Sequence, residues 1–79
     1  MNRTEIKDRV FSIIGEHVRR NTVITEDSLI INLDFDRLDL LGILMEFEYE
    51  FAINIPDDEW EKVITVSDII KIIHKIKIP

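Results

Sequence analysis

A chain of 79 residues without cysteine is long enough for one domain and too short for two, and it rules out a disulfide framework, a thiolate metal site and a thiol nucleophile. Its formal net charge of −6 disfavours nucleic acid and anionic membrane surfaces as partners. The opening MNRTEIKDRV is charged and no run approaches the ~20 apolar residues of a membrane span, so a cytoplasmic protein, monomeric by itself, is expected.

The first predicted helix runs from Asn2 to about Val18. Asn2 is its cap, Glu5 completes a capping box, and Ile6, Val10, Ile13, Ile14 and Val18 form one apolar stripe. Gly15 costs roughly 1 kcal/mol relative to Ala inside a helix, which predicts either a close helix contact or an early end. His17 reads as a solvated surface residue. From Arg19 to Asp36 the periodicity is lost, and the segment reads as a long loop pinned by Val23, Ile24, Leu29, Ile30 and Leu33, with room for a helical turn. Ser28 caps a turn within it.

The second predicted helix is the longest and organises the chain. Asp36 caps it, Asp39 closes a capping box three residues on, and the helix ends near Phe51, ahead of Pro56. Leu38, Leu41, Leu44 and Met45, joined by Leu40, Phe47 and Phe51, are assigned to its buried side, and Glu46, Glu48 and Glu50 to the other. Asp57 to Lys62 predicts a short third helix with acids at its positive end. Thr65-x-x-Asp68 opens a last helix that turns Ile69, Ile70, Ile72, Ile73 and Ile76 inward and carries Lys71, Lys75 and Lys77 toward its C-terminal end. Three longer helices, one short one and no strand pattern give an all-α fold, a small four-helix bundle spanning residues 1–79 as a single domain.

The charge is divided unevenly. Between Leu33 and Glu61 stand ten acids and one base, Arg37. Such a field speeds encounter with a partner carrying a basic patch.

Taken together, Arg9-Val10 with Ile13-Ile14-Gly15-Glu16, Leu33 with Asp36-x-Leu38-Asp39, the acidic helix through Glu50-Phe51, Ile55-Pro56-Asp57-Asp58, Glu61-Lys62 and Thr65-Val66-x-Asp68 make the chain resemble the acyl carrier protein family over nearly its whole length. The resemblance implies that the second helix should open with Asp-Ser-Leu, the serine holding phosphopantetheine. Here the triplet is Asp36-Arg37-Leu38, and a guanidinium offers no oxygen for the ester. Ser28 does not replace it. Eighteen positions separate Arg37 from Ile55, as the resemblance requires, against 27 from Ser28, and an apolar loop follows Ser28. Gly42 and Tyr49 stand where the resemblance implies acidic contact residues. The expected cofactor is therefore none, with phosphopantetheine only if the serine was replaced by engineering or the arm is attached elsewhere in a working fatty acid, polyketide or related carrier.

The partner-binding surface is assigned to Asp36, Arg37, Asp39, Glu48, Ile55 and Trp60, facing a protein with a basic surface, such as an enzyme that docks carrier proteins. Trp60 reads first as a core residue, with an anchor for that partner or a plug in an acyl cavity as the alternative. No enzyme is expected, since the two histidines are far apart and no serine has a base nearby. No metal site is expected either: in Asp34-x-Asp36-x-x-Asp39 the sixth position of a calcium loop is Asp39 rather than Gly, and the twelfth is Met45 rather than Glu.

Overall fold

Helix α1 (Arg3–Gly15) begins where the capping box predicts it, with the Glu5 amide donating to Asn2 Oδ1 at 2.9 Å. It stops three residues short of Val18, because Gly15 is its last residue and Glu16 forms the C-cap. A Cβ built on Gly15 would meet nothing within 4 Å, so the glycine marks an early end and no close helix contact. Ile6, Val10 and Ile14 are fully buried. In this computed structural model, which describes residues 1–77, the remaining helices are α2 (Arg37–Phe51), α3 (Asp57–Trp60) and α4 (Val66–Lys77). Among those residues no strand forms, and the architecture is the expected small all-α bundle of four helices. The last two positions of the assigned domain lie outside the described residues.

The backbone of α1 approaches both α2 and α4, so the first helix is the hub of the packing rather than the second. The buried face of α2 also differs from the expected one. Ile43, Phe47 and Phe51 are buried, with Leu40 and Leu44 partly so, whereas Leu38, Leu41 and Met45 point to solvent. The reason is that α2 carries two apolar stripes with the same 3-4-4 spacing. Leu40, Ile43, Phe47 and Phe51 form one; Leu38, Leu41, Met45 and Tyr49 form the other, two positions out of step and so on the far side of a 3.6-residue helix. The stripe with two phenylalanines offers more area to bury and takes the core.

Gly42, in the interior of α2, has open space where a Cβ would stand. Gly42→Ala is therefore expected to stabilise the domain by about 0.5–1 kcal/mol, read as a higher urea midpoint, because it restricts the unfolded chain and meets no clash.

The connection from α1 to α2 is not structureless. It contains a 3-10 turn (Ile30–Leu33), and its backbone is stitched to the α3–α4 turn: Ile30 N–H donates to Ile64 O at 2.9 Å, Val66 N–H to Ser28 O at 3.0 Å and Ser67 N–H to Glu26 O at 2.9 Å. Ile24, Ile30 and Leu33 pin it to the core as expected, while Val23 and Leu29 are exposed and do not. Ser28 Oγ accepts from the Thr25 amide, which is the turn cap predicted for it. Glu26 also reaches α1, pairing with Arg3 at 2.6 Å and Lys7 at 3.3 Å, and the Arg3 guanidinium holds its carboxyl below the ordinary range.

Short α3 follows Pro56 and ends at Trp60, two residues before the expected Lys62. Helix α4 is opened by Thr65 and Asp68, whose side chains bond each other's amides. It buries Ile69, Ile70 and Ile73 and partly buries Ile72 and Ile76. Near its end Lys77 Nζ donates to Phe51 O at 2.8 Å, satisfying one of the carbonyls that α2 leaves open at its C-terminus.

Candidate functional site

The first turn of α2 is built by a reciprocal cap. Asp34, in the left-handed region at φ 59°, ends the 3-10 turn and redirects the chain. Asp36 then adopts extended geometry, its Oδ1 accepting from the Asp39 amide at 2.8 Å while Asp39 Oδ2 accepts from the Asp36 amide at 3.0 Å. Two N-terminal donors are thus satisfied and two negative charges are fixed at the positive end of the helix. Between them stands Arg37, the first helical residue, exposed and in no ion pair among the described residues. A cation there opposes the helix dipole by a few tenths of a kcal/mol to about 1, and the flanking carboxylates offset it.

Asp36, Arg37 and Asp39 come together at the start of the helix. Glu48 lies eleven residues beyond Arg37, three turns along a 3.6-residue helix and so on the same side as Arg37, although it faces away from Asp39. Its carboxylate is engaged within the fold: Oε2 accepts from the Ile55 amide at 2.8 Å and holds the extended strand of chain that follows Ala52. Ile55 is 4% exposed and belongs to the core, which leaves no side-chain surface for a partner. Trp60 is half-buried, its ring set edge-on to Phe47 at 6.4 Å and 63°, so the packing role is the one it fills here. Of the assigned residues only Ile55 offers no side-chain surface; Asp36, Arg37, Asp39, Glu48 and Trp60 all keep at least partial exposure.

Two features were missed by the sequence reading. His17 is no solvated residue; it is half-buried, with Nε2 3.1 Å from Glu46 Oε1, and links the turn after α1 to α2. The outward position of Leu38, Leu41 and Met45 is the second, since the spacing of their stripe duplicates that of the phenylalanine stripe. Leu38 remains 78% exposed beside Arg37, so the first turn of α2 presents a cation and an apolar side chain together.

Among the described residues no three His, Asp or Glu side chains converge closely enough to hold a metal ion, and no helix is long and apolar enough to cross a membrane. No protein-family model matches the sequence. Curated relatives do. The chain is 42% identical over 76 residues to the acyl carrier protein of Thermotoga maritima, covering 94% of each chain. It is 41% identical over 73 residues to the acyl carrier proteins of Rickettsia massiliae and Rickettsia africae, covering 90% of this chain and 85% of each of those. Identity of this level over nearly the full length, on a four-helix all-α bundle, places the chain in the acyl carrier protein family.

Proposed function

We propose that this is a recognition module of the acyl carrier protein family that carries no phosphopantetheine and meets a protein with a basic surface through the first turn of α2. The observation that supports it is the exposed Arg37 at the position where the family resemblance implies the modified serine. The residues at this helix end do not suit a phosphopantetheine ester. The arm needs a free hydroxyl, and Arg37 presents only N–H donors. Ser28 lies in the stitched loop, half-buried, with its oxygen already accepting from the Thr25 amide at 2.9 Å. Catalysis is not part of this reading: among the described residues the histidine side-chain contact is His17 with Glu46, and no serine hydroxyl is bonded to a histidine or carboxylate. On this reading the protein acts in the cytoplasm as a monomer, and its product is an assembly with, or a block upon, an enzyme that docks carrier proteins.

The test is intact mass after incubation with coenzyme A and a phosphopantetheinyl transferase. The native chain is expected to gain nothing, and Arg37→Ser to gain one arm at that residue; an arm on the native chain overturns the proposal. The same Arg37→Ser protein measures docking, since its loading rate reports encounter with a basic enzyme. Asp36→Asn and Asp39→Asn keep oxygens able to cap the helix and remove the charges, so together they are expected to slow loading about tenfold without loss of fold. Glu48→Gln, which keeps an acceptor for the Ile55 amide and removes a charge three turns from Arg37, is expected to slow loading by less than the Asp36 and Asp39 pair does.

A further inference from the structure

A groove of about 530 Å³ runs between α1 and the C-terminal half of α2. Ile13 of α1 lies at its apolar floor, Met45 and Tyr49 of α2 form an apolar wall, and its rims are mostly carboxylates: Asp8 and Glu16 on one side, Glu46 and Glu50 on the other. We infer that this groove is a docking site for a basic amphipathic helix of a partner protein. It lies beyond the first turn of α2 and does not use Arg37, so it stands apart from the reading above.

Three observations converge on that occupant. The first is uncovered apolar area: Tyr49 is 90% and Met45 60% exposed, one helical turn apart on the same stripe. A nearly free tyrosine at a groove wall is the residue type on which interface energy concentrates. The second is dimension. From Asp8 to Glu16 the α1 rim runs eight residues, about 12 Å, which matches roughly two turns of a helix laid along it. The third is charge. Arg9 is the one base on the lining, and it sits 3.7 Å from Glu50 with both side chains 43% exposed, a surface pair too weak to close the groove. Glu46 leans on His17 at 3.1 Å, while Asp8 and Glu16 have no ion pair among the described residues. The rim is left negative, and an apolar floor beneath it selects a ligand with apolar side chains at helical spacing flanked by Lys or Arg. An acidic or wholly apolar helix would leave those carboxylates desolvated without partners.

The probe is a synthetic 18-residue peptide with leucines at every third or fourth position and Lys and Arg on both flanks, titrated into the full 79-residue chain and followed by amide NMR. Shifts are expected on Asp8–Glu16 and Met45–Glu50. A scrambled peptide of the same composition is expected to bind at least about tenfold more weakly. Tyr49→Ala, and separately the pair Asp8→Lys with Glu16→Lys, are each expected to weaken binding of the patterned peptide about tenfold. All three positions are exposed and outside the core, so the variants retain the fold, which far-UV circular dichroism checks. Asp36→Asn with Asp39→Asn is expected to leave this titration unchanged. Equal binding of the scrambled peptide, shifts centred elsewhere, insensitivity to Tyr49→Ala, self-association in place of peptide binding, or no binding at all each overturns the inference.

Discussion

Phe47→Ala is expected to lower the stability of this domain by about 3–5 kcal/mol, read as a large fall in the urea midpoint. A domain of this length has a total stability of only about 4–12 kcal/mol at typical values per residue. Phe47 is fully buried at the centre of the inward stripe of α2, and it carries the edge-on contact with Trp60 that fixes α3 against the bundle. Removing the ring therefore deletes apolar burial, opens a cavity among α1, α2 and α4 side chains, and releases Trp60. Tyr49→Ala, only two residues away but on the outward stripe, is the matched control and is expected to change stability by no more than about 0.5 kcal/mol. Urea unfolding followed by circular dichroism compares the two. Similar losses in both variants would mean that the two faces of α2 have been assigned the wrong way round.

Asp68→Ala is expected to cost about 1–3 kcal/mol, because one carboxylate holds two amides. Asp68 Oδ2 accepts from Thr65 N–H and Ile64 N–H, each at 2.9 Å, and Thr65 Oγ1 accepts from the Asp68 amide in return. Those bonds, from Thr65 first and Ile64 second, hold the Asp68 carboxyl below the ordinary aspartate value. The sign follows directly. A carboxyl whose folded value is depressed stabilises the fold fully above the unfolded value, about 4, and the contribution is lost as pH falls through the lower folded value. The stability gap between the native chain and Asp68→Ala should thus be full at pH 7 and narrow only below about pH 4. Paired denaturation curves at pH 7 and pH 3 give the answer, and a gap that stays constant would remove the carboxylate from the account.

Helix starts were legible because they are written in short side chains with local partners. Asn2 with Glu5, Asp36 with Asp39 and Thr65 with Asp68 each predicted a cap, and each cap is formed. Helix ends were less legible: Gly15 and Trp60 close their helices two or three residues early, where local propensity gives way to tertiary constraints on the following turn. The face of α2 was misread because hydrophobicity alone does not choose between two stripes of equal spacing, whereas side-chain size does. For the candidate site, the triad at the start of α2 was visible as residues adjacent in sequence. The place of Glu48 was also present in the numbering, since eleven residues put it three turns from Arg37 on the same side of the helix. The burial of Ile55 and the His17–Glu46 contact were not readable, as both arise from elements that meet only after the chain has packed.

The stitching of Ser28 and Ile30 to Ile64 and Val66 has a long reach. It clamps the short turn that delivers the chain to Asp36, so the placement of the head of the longest helix depends on residues about thirty positions downstream. A lesion at Ile64 or Val66 would then be felt in the middle of the chain, as a loosened threshold before Arg37, even with every side chain around that arginine intact.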